Sequence, residues 1–321
     1  MKKLSFLLAL SLVICLLLSA CGQNTDTMEK ANELFEAEDY PAAMEIYKAF
    51  AEKGNSEAMC QIGKMYLYGW GVDVDYDKAW EYSEKAVSGD YPIAANTLGV
   101  ICQMGYGRDA DLQAAVEYYQ QAAEAGSEKA YMNLGRFYMY GLSGEPDYEK
   151  AYDYLKKAYD LGSKDAATYI GTLYQYGLGR EIDYAAAMKW DKIGAEAGNA
   201  DAMCQIAVMY QFGQGVEPNQ NEALKWYEKA AEGGSGTAMN NLGDFYETGE
   251  YVEQDFTKAR EYYEKAVEAG EVFGYVSIGG LYQNGHGVEK DLEKAAEYYQ
   301  LALEKGCADA QQFLDALRAS E

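Results

Sequence analysis

The sequence predicts an all-α fold, a right-handed α/α solenoid (superhelix) of stacked antiparallel helix pairs, and three observations carry that expectation. One period of 36 residues dominates the chain, visible at Ala58, Ala94, Ala130, Ala166, Ala202, Ala238, Gly274 and Ala310 without a slip of register. Two glycine columns keep the same period, one at Gly63, Gly99, Gly135, Gly171, Gly243 and Gly279, the other from Gly69 to Gly285. Each period also holds two apolar stripes at helical spacing, so every unit is a helix pair that buries its face against the next unit.

The chain opens on Lys2 and Lys3, followed by an apolar run from Leu4 to Leu18 and the small residues Ser19 and Ala20. That is the layout of an export signal, and the run is too short for a membrane-spanning helix. The string Leu18-Ser19-Ala20-Cys21-Gly22 resembles the lipobox of bacterial lipoproteins. The resemblance implies a signal peptide over residues 1–20, acylation of Cys21 as the new first residue, and attachment to the membrane through lipid alone. Residues 21–27 are small and polar and form a short tether.

Within the array, residues 130–165 show how a unit is built: AYMNLGRFYMYG, then LSGEP, then DYEKAYDYLKKAYDLG. The second helix begins at a capping residue, Asp75, Asp111, Asp147, Asp183, Asn219, Asp255 or Asp291, whose side-chain oxygen can accept from a free amide of the first turn. It stops at Gly126, Gly162, Gly198, Gly234, Gly270 or Gly306, a residue type that enters the left-handed conformation easily. Leu134, Phe137 and Tyr138 on the first helix, with Ala151, Tyr154 and Ala158 on the second, form the expected core faces. Gly135 lies inside a helix, where it costs about 1 kcal/mol against alanine, so a close helix approach filled by an aromatic of the second helix is expected there.

The strings LGRFYMYG, LGDFYETG and IGGLYQNGHGVEKDLEKAAEYYQLALEKG resemble the Sel-one-like repeat, a relative of the tetratricopeptide repeat. The resemblance covers seven units, 58–93, 94–129, 130–165, 166–201, 202–237, 238–273 and 274–309. Residues 28–57 resemble a shorter tetratricopeptide-like unit, with Asp39 and Ala43 in register with Asp75 and Ala79, and 310–321 is expected as a closing helix. Ala207 in the glycine column, a displaced Gly144, and Tyr251 in place of a loop glycine are the departures.

Composition excludes several functions. The chain carries 27 Lys and Arg against 52 Asp and Glu, a formal net charge of −25, and loss of Lys2 and Lys3 makes it more negative still. Such a surface repels phosphate backbones and anionic headgroups, so nucleic acid is not an expected partner. Cys60, Cys102, Cys204 and Cys307 show no ladder of paired spacings and are expected as free thiols.

No catalytic constellation converges. Strings such as Gly69-Trp70-Gly71 and Gly177-Leu178-Gly179 lack a P-loop lysine and recur at helix ends, which makes them turns. Asp73, Asp75, Asp77 and Glu84 superficially trace a calcium loop, but Lys78 stands where that loop needs glycine and Asp75 is claimed as a helix cap. His286 is the one histidine and sits in a loop. No cofactor, metal or enzymatic activity is expected.

The resemblance implies that first helices line the concave face of the array. Residues there that the core does not need are the binding candidates: Gln61, Tyr68, Asn133, Arg136, Tyr140, Tyr169, Gln175, Tyr176, Gln205, Gln211, Phe212 and Asn241. Side-chain amides among aromatics can hydrogen-bond an extended peptide and offer it flat apolar contacts. The expectation is therefore a monomeric, lipid-anchored interaction scaffold of the bacterial envelope for a protein or peptide partner, on either a cell membrane or an outer membrane. The alternative is a receptor or hydrolase for cell-wall-related ligands, implied by relatives whose repeats carry paired cysteines that this chain lacks.

Overall fold

The computed structural model describes residues 27–319, so Cys21 and the residues before it lie outside the described chain. Among the described residues there are seventeen α-helices, one short 3-10 helix and no strand. Two compact units divide the chain, the first ending at Ser127 and the second beginning at Glu128.

In the first unit, α1 (Met28–Glu36) pairs with α2 (Tyr40–Ala51), α3 (Ser56–Tyr68) with α4 (Tyr76–Ser88), and α5 (Ala95–Met104) with α6 (Leu112–Glu124). The second unit repeats the pairing: α7 (Glu128–Met139) with α8 (Tyr148–Asp160), α9 (Asp165–Gln175) with α10 (Tyr184–Glu196), α11 (Ala200–Phe212) with α12 (Gln220–Glu232), α13 (Gly236–Thr248) with α14 (Phe256–Glu268), and α15 (Phe273–Asn284) with α16 (Leu292–Glu304). A last helix, α17 (Ala310–Ala319), packs on α16 and buries Leu314 and Leu317. Pro92 starts the short 3-10 turn Pro92–Ala94 ahead of α5, as its missing N–H allows at a helix start.

The capping column acts as expected. Asp75, Asp111, Asp147, Asp183, Asn219, Asp255 and Asp291 each accept a hydrogen bond from the backbone N–H three residues on. At the other end the chain turns left-handed, at Gly162 with φ 113° and at Gly198 with φ 89°. Asp90 holds the same position with φ 68°, which a short polar side chain tolerates.

Where the first helix of a pair carries the column glycine, the helices approach so closely that a methyl group has no room. A Cβ on Gly243 would lie 2.3 Å from Cε1 of Tyr263, and one on Gly279 would lie 2.6 Å from Cε1 of Tyr299. In the 130–165 unit the filler is Leu155, fully buried, and not Tyr154. Tyr154 lies one residue earlier in the turn, half-buried, and stacks on Tyr138 with ring centroids 5.6 Å apart. The same outer stack recurs between Tyr246 and Tyr262 and between Tyr282 and Tyr298.

The buried column of the second helices runs Tyr47, Ser83, Tyr119, Leu155, Asp191, Tyr227, Tyr263 and Tyr299. Where it holds tyrosine within a repeat, the hydroxyl donates to the residue sixteen positions earlier: Tyr119 to Gln103 at 2.9 Å, Tyr227 to Gln211 at 2.7 Å, Tyr299 to Gln283 at 2.6 Å. Tyr263 lies 2.7 Å from both Glu247 and Asp244, and desolvation by burial, opposed by that hydrogen bond, pushes the Asp244 carboxyl up to about 6. Where the column holds Ser83 or Leu155, the residue sixteen earlier is apolar, Leu67 or Met139. Tyrosine meets an amide or a carboxylate and leucine meets methionine, as buried donors and acceptors require, whereas the Ser83 hydroxyl, with Leu67 sixteen residues earlier, is buried without a partner.

Candidate functional site

The second unit carries a recess of approximately 420 Å³ on the exposed side of its first helices. Tyr140 and Met139 bound it from the first repeat of the unit, Thr168, Tyr169 and Thr172 from α9, Asp201, Cys204 and Gln205 from α11, and Thr237 from α13. Helical spacing explains why these side chains meet: Thr168 and Thr172, like Asp201 and Gln205, stand four apart and share a face. α9 and α11 touch directly, which closes the floor between them.

The floor is polar and incompletely paired. Gln205 donates through Nε2 to Thr172 Oγ1 at 2.9 Å, and Thr172 in turn donates to the Thr168 carbonyl at 3.0 Å. That leaves the Gln205 Oε1 and the Thr168 Oγ1 buried with no partner, although Thr168 is only 5% exposed. Both atoms are shut off from solvent, and the Thr168 hydroxyl faces α10, where a Cβ on Gly194 would lie 2.6 Å from it, so what the recess presents to a guest is its aromatic rim and the side chains of Thr172, Asp201 and Gln205. On the rim, the Arg136 guanidinium stands 5.8 Å from the Tyr169 ring centre. Burial raises the Tyr169 phenol, and the Arg136 charge partly opposes that.

Cys204 is the one thiol in the recess, and desolvation by burial pushes it up to about 12. It therefore stays protonated at neutral pH and is a poor nucleophile, in keeping with a small buried apolar group. Cys60, Cys102 and Cys307 likewise form no disulfide among the described residues. His286 lies elsewhere, with Nδ1 2.8 Å from a Glu247 carboxylate oxygen and its ring stacked on Phe256. What the recess offers is hydrogen bonding and aromatic contact.

The structure separates the sequence candidates into groups. Tyr140, Tyr169 and Gln205 line the recess, Arg136 overhangs it, and Tyr176 and Phe212 stand exposed at the ends of their helices. Asn133 and Asn241 are half-buried on the same helices. Gln175 is only 3% exposed and bonds through its amide nitrogen to Gln214, and the amide oxygen of Gln211 is taken by the Tyr227 hydroxyl. Gln61 accepts from Lys64 and Tyr68 leans on Trp70, both within the first unit.

Sequence reasoning missed Thr168, Thr172, Asp201, Cys204 and Thr237. Their columns hold unlike residues in other repeats, such as Cys60 and Val276 at the Thr168 position, so no pattern marks them. A usable signal did exist, in the hydroxyl of Thr168 standing in a column that is mostly amide, thiol or apolar.

Comparison with known proteins follows from this architecture. The Sel1 repeat family matches at residues 56–91, 92–127, 128–163, 164–199, 200–235, 236–271 and 275–307. The chain belongs to the Sel1 repeat family. Members of this family bind other proteins, and the fold is a scaffold for such contacts. Among solved structures it is similar to a Sel1 repeat protein from Oxalobacter formigenes, with 30% identity, a TM-score of 0.68, and coverage of 76% of this chain and 97% of that one. It is also similar to c5321, a protective antigen of uropathogenic Escherichia coli, with 29% identity, a TM-score of 0.60, and coverage of 91% and 67%. No curated protein sequence matches it significantly.

Proposed function

We propose that this Sel1 repeat chain is a lipid-anchored interaction scaffold of the cell envelope that holds a protein partner on the first-helix face of its second unit. The observation that carries the reading is the recess between α9 and α11, where the polar side chains of Thr172, Asp201 and Gln205 lie beside the Tyr140 and Tyr169 rings. Polar side chains beside flat aromatic surface are what a polypeptide, with its amides and side chains, can engage. The lipobox-like string ending at Cys21 supports the anchor, and similarity to a protective antigen accords with an exported location.

A photoreactive residue at Tyr140 or Tyr169 should crosslink a specific protein in intact cells, while the same residue at Lys156 on the second helix should not. Equal capture from all three positions, or none from any, refutes the groove. Cys21→Ser should release the chain from the membrane fraction, and unchanged sedimentation would refute the lipid anchor.

The volume of the recess also suits a small polar ligand, since such sites span about 300–1,000 Å³. A receptor for cell-wall fragments is therefore the second reading. It is favoured over the scaffold if wall-derived saccharides or peptides raise the melting temperature and a Thr172→Val variant abolishes that rise.

A further inference from the structure

The second unit displays one surface pattern three times in register. Tyr140, Tyr176 and Phe212 end the first part of three consecutive repeats and are 55%, 60% and 65% exposed. Six residues further on, in the loop leading to the next helix, stand Pro146, Ile182 and Pro218, all exposed. The loop folds these residues back: a Cβ on Gly177 would lie 2.8 Å from Ile182 Cγ1, and one on Gly213 2.7 Å from Pro218 Cγ. Immediately before each comes an exposed carboxylate, Glu145, Glu181 or Glu217.

The next two repeats build the same turn without the apolar members. Thr248 and Gln254 replace them in one, Asn284 and Lys290 in the other, while Glu253 and Glu289 keep the acid. Gly249 and Gly285 are left-handed there too, and Asp255 and Asp291 still cap the following helices. The apolar side chains are therefore not needed to make the turn. Single exposed apolar residues need no explanation, but a patch repeated in register and dispensable for folding marks a contact surface.

We propose that this stripe docks a polypeptide segment of a partner protein in which apolar side chains alternate with lysine or arginine. The inference rests on the protein-binding reading above and adds the chemistry of the partner. The ring and the loop residue of each repeat form an apolar seat, and the carboxylate beside it pairs with a cation. Anionic lipid and nucleic acid are repelled by the same carboxylates and by the net charge of −25. The nearby cations are occupied: Arg180 lies 3.8 Å from the Tyr152 ring centre and Arg136 faces Tyr169. Neighbouring first helices that touch, as α9 and α11 do, are spaced by roughly 8–10 Å, a step that a polyproline-II segment, with three residues per turn and a rise of about 3.1 Å, covers in three residues with every third side chain on one face. The partner segment thus carries an apolar residue at every third position.

The test uses the full exported chain and three fluorescent peptides of about 15 residues, read by anisotropy at about 0.15 M salt. One has leucine at every third position with lysine and serine between, the second has glutamate for lysine, and the third has serine for leucine. Only the first should bind. Tyr176→Ser with Phe212→Ser, and separately Glu181→Lys with Glu217→Lys, should each weaken it about 10-fold, as loss of a buried anchor does. Leu161→Ser, at an exposed apolar residue outside the stripe, should leave binding unchanged, and thermal melting should show every variant folded.

Equal binding of the serine-for-leucine peptide shows mere attraction to acidic surface and overturns the proposal. So does binding of the glutamate peptide, or indifference to both double variants. A protein crosslinked at Tyr140 whose contact segment lacks this chemistry sinks the stripe but leaves the scaffold standing, whereas no crosslink at all sinks both.

Discussion

Two neighbouring repeats of the second unit differ at the buried tyrosine column of the second helix. In the 202–237 repeat, Tyr227 fills the space over the first helix and its hydroxyl donates to Gln211 at 2.7 Å. In the 166–201 repeat the same column holds Asp191, fully buried, with both carboxylate oxygens unpartnered. The glutamine sixteen residues earlier, Gln175, is still present, and its Oε1, the atom type that accepts the tyrosine hydroxyl elsewhere, has no partner. At this pair of columns one repeat is saturated and the other is a ring short. The unsaturated one also supplies Thr168, Tyr169 and Thr172 to the recess. Local rules fail most often where a site has been built, at the expense of stability.

The largest expected effect comes from repairing that repeat. Desolvation by burial pushes the Asp191 carboxyl from 3.8 to about 8, so the folded state holds a proton that the unfolded state releases. The stability this group permits is therefore complete below about pH 4, falls as pH rises towards 8, and is flat above it. Between pH 5 and pH 8 the loss should be about 4 kcal/mol. Asp191→Asn should flatten the profile, and Asp191→Tyr should flatten it and raise stability further by restoring the bond to Gln175. Urea unfolding and amide exchange of 165–196 across that range would show it. A wild-type profile with no slope would refute the buried carboxyl.

Breaking the saturated repeat should cost less. Tyr227→Phe leaves the Gln211 carbonyl unmade, a loss of about 1–3 kcal/mol. The double change Gln211→Met with Tyr227→Leu copies the Met139 and Leu155 pair, and it should lose less than the sum of the two single changes. Strict additivity in denaturant melts would show that the two columns are not coupled.

A finer test separates two adjacent glycines of α15. Gly279 faces Tyr299, where a Cβ would sit 2.6 Å from the ring, whereas Gly280 meets nothing within 4 Å. Gly279→Ala should destabilise by about 1–2 kcal/mol, overpacking outweighing helix propensity. Gly280→Ala should stabilise by about 0.5–1 kcal/mol. Like signs for the two would break the close-approach account. An effect of comparable size is expected at an exposed cap, Asp255→Ala, which should cost about 1 kcal/mol.

Much of the fold was legible because its signals are local or periodic. Asp147 caps α8 through an amide three residues away, and Gly162 takes the left-handed turn that ends it. The pairing of Tyr227 with Gln211 was legible in principle too, since the two columns change together at a fixed separation. Without that pairing, Gln211 and Gln175 look like surface amides, and both were placed on the binding face. Tyr154 was placed in the core for a similar reason: adjacent residues of an aromatic-rich helix share apolar character, and only packing reveals that Leu155 points inward.

The sequence by itself determined the repeat, its helix ends, the family and the acidic surface, because capping, stopping and burial periodicity act within one turn or recur every 36 residues. Tertiary structure alone decided which polar groups are spent inside and which remain for a partner. Gln175 reaches Gln214 across 39 residues, and Gln205 reaches Thr172 across 33, from one repeat to the next. A hydrogen bond satisfied between repeats has no local trace, so which amides of the first helices are spent appears only once the helices are stacked.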